Sequence, residues 1–286
     1  MLFDRWYKPT DGEILYHYCS PETMLAVGEG KKLRFGDLFS MNDFMEMHWG
    51  YGIWEKAAGE VIDITGKEFL DDMDKIISGS GFRVLPLASC FSTDGDVLSQ
   101  WRAYAKDGTG YAVGFRADML LKLPVRALRV SYDRAQQINE TKAAILGLFE
   151  AEKGEEKKRG DNFFDACVQL WFDIAAFKNP GFAEEQEVRL IHAVNFESVN
   201  DGLRIVDGAG MAFEEEYLPK PVRFQMRGAS PVPYLDIDFS NNGKVNPIAE
   251  VVLGPKNDSL PTGVLVFLET MGISNVRLRR SQASYR

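Results

Sequence analysis

The sequence predicts an α+β fold: a mixed, largely antiparallel sheet with packed helices and one C-terminal parallel crossover, all within a single domain spanning residues 1–286. Three observations carry this. Short segments with apolar residues at every second position recur along the chain, as in 222–226 and 235–239, which suits strands with one wet face. Segments with apolar residues at helical spacing separate them. The last stretch runs from a continuously apolar segment at 248–253, through Gly254-Pro255-Lys256 and a helix at 261–271, to a strand near 276–280, which is the order of one crossover unit. With 45% hydrophobic and 12% aromatic residues, 286 residues suffice for a sizeable core. No long Gly/Ser linker and no internal repeat divides the chain.

In chain order, residues 14–19 predict a strand in which His17 shares a face with Leu15 and Cys19. Ser20 is a cap and Pro21 a first helical residue; Gly28 and Gly30 supply the stop before a strand at 31–35. Asn42-Asp43 marks a turn. Residues 84–92 read as a buried strand, 97–105 as a short helix bearing Trp101 and Tyr104, Gly108 and Gly110 as a turn, and 111–115 as the next strand. A strand at 128–132 precedes a charged helical region whose 152–159 run reads as a solvated surface. Phe163, Cys167, Leu170, Trp171 and Ile174 recur at helical spacing, predicting a buried helix that ends at Asn179-Pro180-Gly181. An extended segment then places Glu185, Glu187 and Arg189 on one face, opposite Val188 and Leu190.

The 33 basic against 42 acidic residues give a net charge of −9, which disfavours nonspecific attraction to nucleic acid or anionic lipid. Arg277, Arg279, Arg280 and Arg286 concentrate positive charge near the C-terminal end, where a solvated edge strand is the simpler expectation over an anion-facing one. Cys19, Cys90 and Cys167 lack the paired spacing of zinc sites or disulfide frameworks, and fit a reducing cytoplasm. The first residues show no cleavable apolar core behind a positive region, and no segment offers about 18 uninterrupted apolar residues, so a cytoplasmic protein with no membrane contact is expected.

Two motif groups stand out. Phe91-Ser92 leads into Trp101-x-x-Tyr104-Ala105 and the Gly108/Gly110 turn, and Glu185-x-Glu187-x-Arg189 follows Lys178. Taken with Leu15-Tyr16-His17-Tyr18, Asn42-Asp43-Phe44-x-Glu46, Cys90-Phe91-Ser92, Gly254-Pro255-Lys256 and Ser281-x-x-x-Tyr285-Arg286, they resemble the bacterial domain-of-unknown-function family numbered 2971 across almost the whole chain. One departure is Phe182, where the resemblance leads to tryptophan; the exchange keeps an apolar ring. The family supplies no reaction.

A more remote resemblance, carried by the Glu-x-Glu segment, is to ADP-ribosyltransferases, whose sites also use a His or Arg on an early strand and a Ser, Thr or Tyr on a second. It implies NAD as substrate, with no tightly bound cofactor. Glu187, Glu185 and His17 would be catalytic; Ser92, Trp101, Tyr104 and Arg189 would bind substrate. His17 would orient the NAD ribose or phosphate, aromatic rings would sandwich nicotinamide, Glu187 would stabilise the positive charge as the glycosidic bond loosens, and Glu185 would activate the acceptor. On an extended segment the two carboxylates lie about 7 Å apart by Cα spacing, close enough to raise one pKa, with Arg189 opposing that effect.

The bland alternatives are specific too. Glu187 and Arg189 suit a surface ion-pair ladder, worth little energy. A single His on an apolar strand suits a hydrogen-bonded core position. Three His in different contexts, His17, His48 and His192, do not make a His-rich metal site, whereas Asp236 and Asp238 with Glu185 and Glu187 would suit magnesium-dependent phosphodiester hydrolysis if they converge. Ser92 lacks a nucleophile elbow, Cys90 alternates with Ala88 as core filling does, and Gly108-x-Gly110 does not complete a dinucleotide fingerprint. Lys256, before a helix N-terminus, lacks a full phosphate loop. A non-catalytic nucleotide- or protein-binding module would present Trp49, Trp54, Trp101 and Tyr104 as a recognition surface.

Overall fold

The computed structural model describes residues 5–40, 46–80, 83–200 and 202–285; the expected Asn42-Asp43 turn and Arg286 lie outside these residues. Strand β1 (Ile14–Cys19) leads into helix α1 (Pro21–Gly30), where Ser20 Oγ accepts from the Thr23 N–H at 3.2 Å. The stop differs from the sequence expectation. Lys31, at φ 49°, caps the helix in the left-handed region, while Gly28 lies inside it, where a Cβ would stand 2.4 Å from the Phe267 ring. Gly28 serves close packing and not termination.

Strand β2 (Lys32–Asp37), helices α2 (Glu46–Thr65) and α3 (Lys67–Gly79), strand β3 (Val84–Ser92), helix α4 (Leu98–Tyr104), strand β4 (Tyr111–Arg116), helix α5 (Ala117–Leu120) and strand β5 (Arg126–Arg129) follow. Next come helices α6 (Arg134–Gly154) and α7 (Asp161–Ile174), then strands β6 (Glu187–Val199), β7 (Gly202–Asp207), β8 (Gly210–Ala212), β9 (Glu215–Tyr217), β10 (Arg223–Arg227), β11 (Ser230–Asp238) and β12 (Ile248–Leu253). Helix α8 (Pro261–Thr270) and strand β13 (Arg277–Arg280) close the chain. The 152–159 run departs from a purely solvated surface: Glu152 is buried and takes the Arg159 guanidinium at 2.8 Å.

The large sheet runs β10-β11-β2-β3-β1-β4-β12-β13, with β6 also paired to β3 and with β5 and β7 paired to β6. Its ladders are antiparallel except β12 with β13, which are parallel and joined through α8, as the sequence order predicts. One face buries Leu15, Leu87, Phe91, Phe115 and Leu253 beneath α1 and α8. On the other face, α2, α3, α6 and α7 pack over Ala88, Leu128 and Ile191, and α4 packs separately through Trp101 onto Tyr18, Ala112 and Val252.

The pairing of β3 creates an opening. Strand β6 pairs with one edge of β3 along its whole length, from Val84↔Asn195 to Ser92↔Glu187. On the other edge β2 pairs only at Leu87 and Ala88, and β1 only at Ser92. Between these two strands, the Ser89–Phe91 edge faces a split in the sheet, and the His17 ring reaches across to donate from Nδ1 to the Cys90 carbonyl at 3.0 Å. A side chain here takes the place of a ladder bond, which satisfies a carbonyl that would otherwise lack a partner.

Candidate ligand cavity

A cavity of about 660 Å³ lies over this split, between the α4 cluster and the four-helix cluster. Its sheet side comes from residues that pleat toward the same face: Tyr16 and Tyr18 on β1, Arg34 on β2, Cys90 on β3, Glu187 and Arg189 on β6. Its walls come from Gln100 and Tyr104 on α4 and from Lys178, Phe182 and Glu185 in the connection between α7 and β6. This size matches a small-molecule site that mixes aromatic surface with a few convergent polar groups.

The α7–β6 connection sets the polar geometry. Lys178 is anchored by its backbone: its N–H donates to the Ser131 carbonyl at 3.0 Å and its carbonyl accepts from Gln137 Nε2 at 2.9 Å. Asn179 caps the 3₁₀ segment Pro180–Glu185, and Gln186, at φ 45°, ends it. The chain re-enters the sheet at Glu187, so Glu185 is not on the strand that the sequence pattern extends through it. The left-handed residue between the two carboxylates turns them both onto Lys178 Nζ, at 2.5 Å for Glu185 and 3.1 Å for Glu187.

Glu187 and Arg189 share a strand face as expected, but they are not a surface ladder. Their side chains are 6% and 1% exposed. Arg189 grips Glu187 with Nε on Oε1 at 2.7 Å and a second guanidinium nitrogen on Oε2 at 3.1 Å, and donates to the Ala175 carbonyl at 2.5 Å. The Glu187 N–H donates to the Tyr132 hydroxyl at 3.0 Å. Tyr104 completes the group by donating to Glu185 Oε1 at 3.2 Å.

These surroundings drive the two carboxylates apart. Burial would raise Glu187, but the adjacent Arg189 and Lys178 charges outweigh it and hold the group down to about 2. For Glu185 burial wins over the Lys178 charge, and its pKa is raised. A strongly ionised carboxylate beside one held toward protonation is the division of labour expected of paired acid and base groups. Burial lowers the pKa of His17, so the ring is neutral; with Nδ1–H committed to Cys90, its Nε2 is an acceptor. Burial and then the Glu187 charge push the Cys90 thiol up, which keeps it a thiol and disfavours nucleophilic chemistry.

Of the residues singled out in the sequence, His17, Tyr104, Glu185, Glu187 and Arg189 line the cavity. Ser92 and Trp101 do not. Ser92 is buried at the end of β3 and its Oγ accepts from the Asp94 N–H at 3.1 Å. Trp101 is fully buried, packed edge-on to Tyr18 with 4.8 Å between centroids, and its Nε1 donates to Asp96 at 2.8 Å. Its bulk positions α4 and touches no ligand space.

Residues without an assigned role in the sequence reading are Lys178, the hub of the carboxylates, Cys90, placed opposite Arg189 by the β3–β6 register, and Arg34 and Arg227. The sequence signals for Lys178 are its place ahead of Glu185-x-Glu187-x-Arg189 and its position directly after the apolar Ala175-Ala176-Phe177 run. Asp236 is engaged by Arg34 at 3.0 Å, Asp238 accepts from the backbone of Ser240 and Asn242, and neither lines the cavity that holds the Glu pair. Among the described residues, no three His, Cys, Asp or Glu form a group suited to a metal ion. Lys256 pairs with Asp107 at 2.8 Å. Among the described residues no helix is long and apolar enough to cross a membrane.

Comparison with known proteins narrows the resemblance. No curated protein and no solved structure matches the chain. The match to a known family covers residues 100–190 and not almost the whole chain, so it takes in Tyr104, Lys178, Glu185, Glu187 and Arg189 but leaves His17, Cys90 and the Gly254-Pro255-Lys256 segment outside. Over residues 100–190 the chain is similar to the family described as "Protein of unknown function (DUF2971)".

Proposed function

We propose that the cavity binds NAD and assists cleavage of its nicotinamide–ribose bond, in ADP-ribosyl transfer or NAD hydrolysis. The observation that carries this reading is the convergence of His17, Tyr104, Glu185 and Glu187, from three separate parts of the chain, on one cavity in which the two carboxylates have opposite pKa shifts. In this reading the C1′–N bond breaks with its electron pair passing to the pyridinium nitrogen, and nicotinamide leaves neutral. Glu187, held anionic, stabilises the positive charge that develops on the ribose. The acceptor, water or a nucleophilic group, bonds to C1′ while its proton passes to Glu185. His17 Nε2 accepts from a ribose hydroxyl, the Tyr16, Tyr18 and Tyr104 rings flank the base, and Arg34 and Arg227 supply charge for the phosphates.

A second reading, nucleotide binding without turnover, is favoured by one observation. With both carboxylates ionised, Lys178, Arg189, Glu185 and Glu187 form a neutral, mutually satisfied quartet. The free cysteines, with Cys19 and Cys167 buried, support a reducing cytoplasmic setting.

Incubation of purified protein with NAD, followed by chromatographic measurement of free nicotinamide, tests the reading alongside the thermal shift produced by NAD. Release together with a stabilising shift supports catalysis. A shift without release selects the binding module, and neither result rejects both readings.

A further inference from the structure

We propose that the open edge of β10 is a docking strand for an extended, acidic segment of a partner protein. Strand β10 ends the large sheet, and among the described residues it pairs with β11 alone. That ladder is regular, from Arg223↔Tyr234 to Arg227↔Ser230, with neither bulge nor proline in β10 to disrupt a further strand. All five residues are exposed, including two large apolar ones, Phe224 at 57% and Met226 at 66%. An edge of this kind offers unpaired backbone groups for strand addition, with alternate side chains giving selectivity.

The charge pattern selects the occupant. Two copies of β10 paired antiparallel about Gln225 would set Phe224 beside Met226, but would also set Arg223 directly against Arg227 at both ends. Like charges in opposed positions disfavour that dimer. A segment with acidic residues at its two ends and β-branched apolar residues facing Phe224 and Met226 instead sets opposite charge beside both arginines and apolar surface beside both apolar side chains. Arg223, Gln225 and Arg227 share the face on which Arg34 holds Gln225 at 3.0 Å, and Arg34 and Arg227 both line the cavity. The docked segment therefore runs past the cavity mouth. Binding here does not depend on the proposed reaction and is measurable without turnover.

Fluorescence anisotropy tests this with a fluorescein-labelled peptide of sequence Glu-Val-Thr-Val-Glu and a matched Lys-Val-Thr-Val-Lys peptide. The wild-type protein is expected to bind the acidic peptide about tenfold more tightly than the basic one, and R223E/R227E to reverse the preference, with R223E alone intermediate. Circular dichroism checks that the variants, altered only at exposed positions, remain folded. Equal affinity for both peptides, or no binding of either, overturns the proposal. Sedimentation showing that the wild-type protein dimerises and that R223E/R227E does not would also overturn it, by assigning the edge to a second copy.

Discussion

Glu185 and Glu187 accept hydrogen bonds from the same Lys178 ammonium, at 2.5 and 3.1 Å, although one closes a 3₁₀ segment and the other opens β6. The left-handed Gln186 between them makes this possible. Lys178 thereby couples the two candidate catalytic groups, and its removal leaves two carboxylates with one remaining guanidinium. Lys178→Met is expected to cost about 3–5 kcal/mol, the usual penalty for stripping one partner from a buried ionic group. Urea denaturation at neutral pH checks the loss. An effect below about 1 kcal/mol would show that solvent reaches these groups.

The acid limb of stability follows from Glu187. Its pKa in the folded protein is depressed from 4.5 to about 2, so its contribution is present above the unfolded value and is lost as pH falls from about 4.5 toward about 2. On the scale of 1.36 kcal/mol per unit, the contribution is about 3 kcal/mol. Chemical denaturation across pH 2 to 6, these limits set at roughly the titration range, should show a steep acid limb that Glu187→Gln flattens. Parallel profiles for the two proteins would place the acid sensitivity elsewhere.

Tyr104→Phe removes one hydrogen bond to Glu185 and little packing. Stability should fall by only about 1 kcal/mol. That bond favours the ionised carboxylate, so without it the already raised pKa of Glu185 rises further. Any activity that needs Glu185 as a base should therefore begin at higher pH in the variant, which a pH–rate profile reads directly. A profile that stays in place would separate Glu185 from the titrating step.

Two glycines separate packing against backbone from packing against a ring. A Cβ on Gly110 would lie 2.1 Å from the Cys19 carbonyl oxygen, a main-chain atom held in the β1–β4 ladder, whereas one on Gly28 would meet the outer edge of the half-buried Phe267 ring. Gly110→Ala should cost more than the roughly 1–3 kcal/mol usual for overpacking, and Gly28→Ala should stay within that range. Thermal melts of both variants measure the ordering, and equal losses would contradict it.

Much of the fold was legible because its signals are local. Ser20-Pro21 announces α1, the apolar spacing from Phe163 to Ile174 announces α7, and the closing strand–helix–strand order announces the parallel pair β12 and β13. The carboxylates, Arg189, His17 and Tyr104 were legible as polar groups set against apolar strand or helix patterns. Burial was less so: the alternation that suggests a wet face for Glu187 and Arg189 does not show that α4 and the α7–β6 connection cover it. Trp101 illustrates the reverse, since an aromatic next to a glycine turn carries no mark of whether it faces ligand or core. The roles of Cys90 and Arg34 were hidden because they depend on the long-range β2–β3–β6 register and on the split between β1 and β2, and that of Lys178 because it depends on its backbone anchoring to Ser131 and Gln137, none of which a local pattern encodes.

Nicotinamide release by the wild-type protein and by Glu187→Gln measures whether the Glu187 carboxylate stabilises positive charge at C1′ of NAD, as proposed. Circular dichroism and NAD thermal shifts on both proteins separate folding and binding from chemistry. The wild type is expected to release nicotinamide, and a folded, NAD-binding variant to lose about 100-fold or more, the scale seen when one transition-state electrostatic partner is removed. Equal release by both proteins, or NAD binding by the wild type with no release, would contradict it.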